Sequence, residues 1–341
     1  MSKNFLYFFT FIFAFGISYL SISPLKKWGQ KYLVDKPTKL KNHKGNIPLC
    51  GGAIIALGFF GSLIILRLLT NFPSGTLHNL RGLFLGGFII FVLGLTDDFK
   101  KPKGLSPYLK LSFQALAAFI LIHYNIKINF LNAPWDYILT TFWIIGLTNA
   151  FNLLDIMDGL AISQTILAAM AFLLISLPFE FIYVNFIAVS LIGAGLAFWP
   201  QNHANKKIFL GDSGSMLLGF LLSALALGTR FSAVNPAAVF APLLILALPI
   251  FDTTFVSIIR LSKGLNPLKG TPDHYPLRLK KLGLKTHTIL MLSILISFIL
   301  NILAYFITRI YEINTAFLIY LLVLSFFISF GTYLKVKVKM P

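Results

Sequence analysis

The sequence predicts an all-α protein that crosses a membrane about eleven times, as a single transmembrane domain over residues 1–341. Three observations support this prediction. First, 57% of the residues are hydrophobic and only 12% are charged, whereas a soluble domain has roughly 25% charged residues. Second, the mean hydropathy is +0.81, and the apolar residues form long stretches. Third, the basic residues concentrate in alternate segments between those stretches.

Eleven apolar stretches are the predicted helices, because a helix needs about 20 apolar residues to cross a bilayer. Their approximate bounds are 4–24, 49–70, 82–96, 106–124, 136–152, 160–178, 181–199, 214–230, 236–259, 287–308 and 314–334. Glycine and proline interrupt several of them, which helices tolerate better in lipid than in water. No separate soluble domain is expected.

The distribution of Lys and Arg predicts the orientation, because cytoplasmic loops are enriched in these residues. Of the 29, 23 fall in the segments 26–44, 100–110, 206–207, 260–285 and 335–339. With eleven spans, this places the N-terminus outside the cell and the C-terminus in the cytoplasm of a multi-pass cell-membrane protein. The net charge of +18 is thus explained by topology, and no nucleic acid partner is predicted.

The acidic residues point to a functional site at the cytoplasmic face. Eight of the eleven fall on or near that side, and five lie in the motifs "GLTDDFK", "NLLDIMDGL" and "FLGDSGS". A carboxylate at the bilayer centre costs about 2.5–3.5 kcal/mol, so five would rival a typical net stability of about 5–15 kcal/mol. We therefore expect them at helix ends, around a polar cavity, sharing a cation.

The spacing within the second motif predicts where its helix ends. Asn149, Asn152, Asp155 and Asp158 follow one another at steps of three and spread over about half of a helical cylinder. A straight helix facing lipid could not hide all four side chains. We therefore expect the helix to end near Asp155 and the chain to turn into the next helix at Gly159.

The third motif predicts a helix start beside a carboxylate. In "KKIFLGDSGS", Asp212 precedes a glycine-containing turn into a new helix, where free backbone N–H groups would suit a phosphate. Carboxylates that bind a metal, lysines that bind anions and helix starts that bind phosphates are the components of a phosphoryl-transfer site.

Six segments, all on the predicted cytoplasmic side, carry a family resemblance. They are "DKPTKLKNHKGNIPLCGG" (35–52), "LTDDFKKPKGLSPYLKLSFQ" (95–114), "NAFNLLDIMDGLA" (149–161), "NHANKKIFLGDSGS" (202–215), "PIFDTTFVSIIR" (249–260) and "DHYPLRLKKLGL" (273–284). In these the chain resembles, nearly end to end, the polyprenyl-phosphate N-acetylhexosamine-1-phosphate transferases. These membrane enzymes are relatives of phospho-N-acetylmuramoyl-pentapeptide transferase.

The resemblance implies a reaction, its partners and a cofactor. The phosphate of undecaprenyl or another polyprenyl phosphate attacks the β-phosphorus of a UDP-N-acetylhexosamine, which gives a polyprenyl-diphosphate-sugar and UMP. Such enzymes initiate cell-envelope glycan synthesis. The implied cofactor is Mg²⁺, with Mn²⁺ as an alternative. The sugar, with N-acetylglucosamine favoured, the downstream glycan and the choice between monomer and homodimer stay open.

The resemblance also assigns residues to the metal and to catalysis. Asp212 matches the principal Mg²⁺ ligand, and Asn152 matches a position that shares the metal in some members. Asp97 and Asp98 match a pair of aspartates, one of which deprotonates or positions the acceptor phosphate. The alternative is that both carboxylates offset neighbouring lysines.

Further residues match positions at the substrates or in loops near them. Those assigned to nucleotide, sugar or phosphate binding are Asp155, Asp158, Asn202, Lys100, Lys110, His274 and Arg278. For the two lysines, an ordinary place at the cytoplasmic membrane surface is the alternative. His43 and Lys44 fall in a loop that could order near the acceptor, and Asp252 either caps a broken helix or takes part in the chemistry.

One departure from the family concerns its histidine-rich loop. Many members carry several histidines before an Arg-Leu pair, whereas "PDHYPLRL" keeps His274 and Arg278 but has Pro276 and Leu277 at positions where further histidines occur. Of all the matched segments, this loop leaves the donor sugar and full activity most open.

Other functional classes fit the sequence less well. A transporter would gather acidic residues near the bilayer centre, often in two related halves, but here they crowd one face. A CDP-alcohol phosphotransferase would need an arginine that "DGLAIS" lacks, and an aspartyl protease would need a second membrane-embedded Asp beside Asp212. Two alternatives remain. One is the activity of a phospho-N-acetylmuramoyl-pentapeptide transferase, and the other is an inactive or transport-type membrane protein.

Overall fold

The computed structural model describes residues 3–35, 45–72, 75–179, 182–203, 208–267, 270–338 and 340. Helices dominate this part of the chain, which confirms the predicted all-α class. Two short antiparallel strands accompany them, β1 (Val34–Asp35) and β2 (Ile47–Pro48). His43 and Lys44, which follow β1 in the sequence, lie outside the described residues.

The α-helices of the described residues are numbered α1 to α13. Their bounds are Lys3–Tyr32, Gly51–Leu69, Thr76–Phe99, Pro107–His123, Trp135–Leu154, Leu160–Ser176, Ile182–His203, Gly211–Gly228, Ala241–Ile245, Ala247–Ser262, Tyr275–Lys281, Thr286–Ile307 and Ile313–Lys337. A 3₁₀ turn extends α6 over Leu177–Phe179, and another precedes α9 at Pro236–Phe240.

The helices make the chain a polytopic membrane protein. Within the described ranges, nine helices are long and apolar enough to cross a membrane, and the bent pair Pro236–Ile245 and Ala247–Ser262, with a 71° angle, would make a tenth. Helix α4 is apolar but has only 17 residues. Each of the eleven predicted stretches overlaps one of these helices or the bent pair. The number eleven and the orientation of the termini remain predictions.

The chain divides into two compact units, Met1–Thr229 and Arg230–Pro341. The first contains α1 to α8 with the strand pair, and the second contains α9 to α13. Whether they act as the single transmembrane domain expected over residues 1–341 stays a prediction.

Helix α8 lies at the centre of the first unit, where it packs against α2, α3 and α5. Small residues let helices in a membrane approach closely, and Gly94 of α3 is one of them. A Cβ atom at Gly94 would lie 2.5 Å from the Cα atom of Ser213 in α8. This close packing holds Asp212, the second residue of α8, beside the end of α3.

Helix α4 begins next to the same place. Ser106 precedes the helix and accepts a hydrogen bond from the N–H of Leu109, while Pro107 occupies the first turn. A serine cap followed by proline is a strong helix start. Because of this start, Lys110 lies in the first turn of α4.

In the second unit, α10 and α11 carry most of the buried charge. Helix α10 contains Asp252 and Arg260, and α11 starts at Tyr275 with Pro276 in its first turn. His274 occupies the residue before this helix. The two helices thus carry the motifs "PIFDTTFVSIIR" and "DHYPLRLKKLGL".

Candidate active site

Asp212 is the centre of a group of five charged side chains in the first unit. One carboxylate oxygen of Asp212 lies 2.9 Å from Nζ of Lys101, and the other lies 2.7 Å from Nζ of Lys110. Lys101 also pairs with Asp98, at 2.7 Å, and Lys110 with Asp97, at 2.9 Å. We call these five residues the carboxylate–lysine cluster. Three carboxylates and two ammonium groups give it a net charge of −1 when all are ionised.

The Asp98 carboxylate holds the start of α8. Its two oxygens accept hydrogen bonds from the backbone N–H groups of Asp212, at 2.9 Å, and Ser213, at 3.0 Å. Gly211 makes this possible, because its φ is +74° and a Cβ there would lie 2.6 Å from an Asp98 oxygen. A carboxylate at a helix N-terminus is also favoured by the helix dipole. The expectation that these N–H groups are free for phosphate is therefore wrong for Asp212 and Ser213.

Asp97 holds the turn between α3 and α4. Its Oδ1 accepts a hydrogen bond of 2.6 Å from the N–H of Leu105 and also pairs with Lys110. The residue is only 3% exposed. A carboxylate held by a backbone amide and an ammonium group is well placed to fix the position of Lys110. This geometry favours the positioning role over that of a general base.

The lysines that meet Asp212 are Lys101 and Lys110, whereas Lys100 lies outside the cluster. Burial alone would lower the pKa of Lys101, but the charges of Asp212 and Asp98 raise it above its usual range, so this lysine stays protonated. Lys100 is exposed at the end of α3, and forms no ion pair with another residue of the described chain.

Asn152 lies beside Asp212, as expected for a shared ligand set. Its amide nitrogen is 3.4 Å from an Asp212 oxygen, and its amide oxygen accepts a hydrogen bond of 2.8 Å from Ser215. The amide would therefore have to turn over to offer a metal its oxygen.

The residues around Asp212 fit a magnesium ion. Among the described residues, no three His, Cys, Asp or Glu side chains are arranged to hold a metal ion. Mg²⁺ does not need such a cage, since it commonly uses one or two carboxylates together with waters and substrate phosphates. The Asp212 side chain is 16% exposed, and the negative charge of the cluster favours a divalent cation.

Asp155 and Asp158 follow the end of α5 at Leu154, where the sequence predicted it, and α6 begins at Leu160. Both aspartates are half-buried. Burial and then the charge of Asp158 raise the pKa of Asp155 well above its usual range, with smaller effects from Lys101, Asp212 and Asp98. Asp155 thus interacts electrostatically with Asp158 and with three members of the cluster.

Two asparagines of the motifs form hydrogen bonds within the first unit. The Asn202 amide accepts from the N–H of Gly159, at 2.8 Å, and donates to the carbonyl of Ile208, at 3.1 Å. Asn149 donates to the side chain of Gln114, at 2.7 Å, and so links α5 to α4. Asn202 thus fixes the loop that carries Asp158, rather than presenting a free amide.

In the second unit, Asp252 orients His274. Its Oδ2 lies 2.7 Å from Nδ1 of His274, and its Oδ1 accepts a hydrogen bond of 2.9 Å from the N–H of Tyr275. A carboxylate is an acceptor, so Nδ1 of His274 is the donor in this contact. Asp252 therefore anchors the start of α11 and does not cap the break before α10.

Arg278 is buried and occupied by groups of its own unit. It donates to the Asp273 carboxylate at 2.7 Å and to the backbone carbonyls of Asp273, Leu334 and Val338 at 3.1, 3.2 and 2.5 Å. Burial alone would raise the pKa of Asp273, but hydrogen bonds from Lys263, Thr271 and Arg278 lower it below its usual range. We call Asp252, Asp273, His274 and Arg278 the buried charge cluster.

Sequence reasoning missed two residues of the first unit's site, Lys101 and Ser215. Lys101 lies three residues after Asp98 and Lys100 three after Asp97, so helical spacing does not separate the two lysines. The difference arises because α3 ends at Phe99 and the chain turns there. Ser215 gives no signal of its own in a glycine-rich and serine-rich turn.

Comparison with known proteins adds an independent observation. The sequence profile of Glycosyl transferase family 4 matches residues 80–230, which contain the whole carboxylate–lysine cluster. A Bacillus subtilis protein named "Probable undecaprenyl-phosphate N-acetylglucosaminyl 1-phosphate transferase" is 31% identical over 283 residues, which cover 80% of this chain and 76% of that protein.

Two further relatives are similar. An Escherichia coli O157:H7 protein named "Undecaprenyl-phosphate alpha-N-acetylglucosaminyl 1-phosphate transferase" is 28% identical over 71% of this chain and 67% of its own length. A Streptococcus agalactiae phospho-N-acetylmuramoyl-pentapeptide-transferase is 30% identical over 62% of this chain and 68% of its own length. The chain belongs to glycosyl transferase family 4, among the membrane enzymes that transfer a sugar phosphate to a polyprenyl phosphate.

Proposed function

We propose that this protein transfers N-acetylglucosamine 1-phosphate from UDP-N-acetylglucosamine to undecaprenyl phosphate, and so initiates the synthesis of a cell-envelope glycan. The observation that carries the proposal is the carboxylate–lysine cluster, in which both oxygens of Asp212 are paired with lysines. The names of the Bacillus subtilis and Escherichia coli relatives support the choice of sugar and acceptor.

The proposed reaction exchanges one phosphoanhydride bond for another. An oxygen of the acceptor phosphate forms a bond to the β-phosphorus of the UDP-sugar, and the bond from this phosphorus to the bridging oxygen breaks. The electron pair stays with that oxygen, which leaves as part of UMP. Because the leaving group is itself a phosphate, catalysis consists mainly of aligning two anions and neutralising their charge.

The side chains of the cluster suit this task. Lys101 and Lys110 carry their ammonium groups on flexible stems, and their side chains are 21% and 17% exposed, so they can pair with phosphate oxygens. Asp98 and Asp97 hold these two lysines in place. Asp212, with Asn152 after its amide has turned over, would hold Mg²⁺, which when bound would neutralise charge on the diphosphate.

A reconstituted assay tests the proposal. Purified protein would be incubated with undecaprenyl phosphate, UDP-N-acetylglucosamine and Mg²⁺, and both UMP and the lipid product would be measured. We expect equal amounts of the two products, and none when EDTA replaces Mg²⁺. UMP formation without a lipid product, or no UMP in any condition, would contradict the proposal.

A second candidate is transfer of phospho-N-acetylmuramoyl-pentapeptide to the same acceptor. The similarity to the Streptococcus agalactiae enzyme supports it. The same assay separates the candidates when UDP-N-acetylmuramoyl-pentapeptide and UDP-N-acetylgalactosamine are included as donors. Faster turnover of the pentapeptide donor would favour the second candidate over the first.

We also propose that the reaction takes place at the cytoplasmic face of the cell membrane, with the N-terminus outside. The concentration of basic residues in alternate segments supports this orientation. Reporter fusions at about residue 285 should be active only as cytoplasmic reporters. An active periplasmic or extracellular reporter at this position would reverse the proposed orientation.

A further inference from the structure

The hydroxyl of Ser215, in the first part of α8, contacts the amide of Asn152. Ser215 is only 1% exposed. Its Oγ lies 2.8 Å from Oδ1 of Asn152 and 3.0 Å from the backbone carbonyl oxygen of Gly211. Both of these neighbours are acceptors, but a serine hydroxyl has a single proton. The hydroxyl can therefore donate to only one of them at a time, and its lone pairs remain for a donor.

Because of this choice, Ser215 can bond to either end of the Asn152 amide. When the hydroxyl donates to Asn152, the amide nitrogen faces Asp212, at 3.4 Å from its carboxylate. When the hydroxyl donates to the Gly211 carbonyl instead, its oxygen can accept from the amide nitrogen. The amide oxygen then faces Asp212, and an oxygen is the atom that Asn152 would need to offer Mg²⁺.

Close packing of α5 against α8 sets the distance between the two side chains. A Cβ atom at Gly219 of α8 would lie 2.5 Å from the backbone oxygen of Leu147 and 2.8 Å from the Cα atom of Thr148, both in α5. This contact lies four residues along α8 from Ser215 and four along α5 from Asn152, which is about one helical turn. The separation of Ser215 and Asn152 is therefore fixed by the backbones.

A second contact holds α5 from the side of α4. Asn149, three residues before Asn152, exchanges two hydrogen bonds with Gln114, at 2.7 and 3.4 Å, and Gln114 is fully buried. Since the backbone of α5 is held on two sides, the freedom left to Asn152 is the rotation of its own side chain. The hydrogen bond to Ser215 then determines how the amide is turned.

We propose that Ser215 positions Asn152 as a magnesium ligand, because it holds the amide beside Asp212 and accepts from the amide nitrogen when the amide oxygen faces the metal. This inference rests on the proposed function, in which Asp212 and Asn152 hold Mg²⁺. Residues behind a metal ligand orient it, and their loss commonly weakens metal binding by about 10–100-fold. Ser213, two residues earlier, offers a contrast, since its buried hydroxyl makes no hydrogen bond among the described residues.

Binding of Mn²⁺, a paramagnetic substitute for Mg²⁺, tests the proposal without relying on turnover. Electron paramagnetic resonance would measure the dissociation constant of Mn²⁺ for the purified protein, with Mg²⁺ as competitor. Ser215→Ala should raise this constant about tenfold, whereas the matched control Ser213→Ala should stay within about twofold of the wild type. Equal constants in the wild type and Ser215→Ala, or no Mn²⁺ binding that Mg²⁺ displaces, would overturn the proposal.

A double-mutant cycle tests whether Ser215 acts through Asn152. The Asn152→Ala background has no amide to orient, so the further change Ser215→Ala should alter the Mn²⁺ dissociation constant by less than about twofold. An equal loss of affinity in both backgrounds would mean that Ser215 acts by another route and would overturn the proposal.

The dependence of turnover on Mg²⁺ gives a second readout. Ser215→Ala should need about tenfold more Mg²⁺ for half-maximal UMP release and should approach the wild-type rate when Mg²⁺ is saturating, because the variant binds the metal more weakly. A rate that stays low at saturating Mg²⁺ would assign Ser215 to the fold or to the chemistry and would overturn the proposal. Weaker Mn²⁺ binding by Ser215→Ala, with no UMP release from any UDP-sugar by the wild type, would support the role of Ser215 and contradict the proposed function.

Discussion

The two charged clusters of this protein resemble each other in composition but differ in what their charges contact. In the carboxylate–lysine cluster, Asp212 is held by the ammonium groups of two flexible lysines. In the buried charge cluster, Arg278 donates to the Asp273 carboxylate and to three backbone carbonyls. A lysine can exchange a carboxylate for a substrate phosphate at little cost, whereas backbone carbonyls cannot be exchanged without distorting the fold.

The two clusters also differ in how far their side chains are exposed to solvent. The side chains of Lys101 and Lys110 are about one fifth exposed, while those of Asp273 and Arg278 are 0% and 3% exposed. A buried ion pair costs desolvation and becomes strongly destabilising when one partner is removed. The comparison therefore suggests that the first cluster serves chemistry and that Arg278 and Asp273 serve stability. The His274 side chain is also only 3% exposed and is held by the Asp252 carboxylate.

The largest expected effect is the loss of activity in Asp212→Asn. The substitution removes the charge that pairs with both lysines and the carboxylate that would hold Mg²⁺, so UMP release should fall by about 10³-fold or more. The thermal unfolding midpoint should stay close to that of the wild type, because the side chain is partly exposed. Unchanged activity across a Mg²⁺ titration would show that Asp212 is not the metal ligand.

A large loss of stability is expected for Arg278→Gln. Removing the guanidinium leaves the Asp273 carboxylate and three backbone carbonyls without their buried donor, which should destabilise the protein by about 3–5 kcal/mol. Thermal unfolding in detergent measures this change. If the midpoint stays the same while the KM for the sugar donor rises, Arg278 binds substrate as the family resemblance implies.

A smaller effect on activity is expected for Asp97→Asn. If Asp97 positions Lys110, the rate should fall by about 10–100-fold at every pH between 6 and 8. If it acts as a base, the rate should recover as pH rises, because a phosphate with a second pKa of about 6 is already dianionic near pH 8. Recovery to near the wild-type rate at pH 8 would rule out the positioning role. Asp98→Asn cannot serve as a neutral control, since Asp98 caps α8.

The smallest expected effect is on stability, in Asp155→Asn. Because burial raises the pKa of Asp155 in the folded protein, the ionised carboxylate opposes folding at pH values above that pKa. The variant should therefore unfold at a slightly higher temperature at pH 8. The difference should shrink as pH falls through the raised pKa toward the usual value of about 3.9. A lower midpoint at pH 8 would mean that a favourable partner holds the ionised group.

Much of the fold was predictable because lipid imposes a simple rule on the chain. Each predicted apolar stretch coincides with a helix or with the bent pair, and α5 ends at Leu154, next to the predicted position. Hydropathy did not reveal the 71° bend between α9 and α10, because a broken helix and a straight one have the same composition. The division into two units also has no sequence signal.

The site was predictable as a set of residue types and less so in its contacts. The grouping of Asp97, Asp98 and Asp212 follows from motifs at helix ends, and Lys110 is assigned through the family resemblance. That Asp98 caps α8 could not be read from the sequence, since the two residues it bonds are more than 100 positions away. The choice between Lys100 and Lys101 depends on how the chain turns after Phe99, which residue spacing does not specify.

The adjacent lysines provide the most direct test of the claim that the carboxylate–lysine cluster performs the chemistry. UMP release would be measured for Lys101→Gln and Lys100→Gln at saturating undecaprenyl phosphate and varied UDP-N-acetylglucosamine. We predict that Lys101→Gln lowers kcat/KM for the donor about 100-fold, as expected for losing a charged contact to the reacting phosphates. Lys100→Gln should stay within about twofold of the wild type under the same conditions, because the described residues of the cluster pair with Lys101 and Lys110 and not with Lys100. Equal losses in the two variants, or a larger loss in Lys100→Gln, would contradict the account.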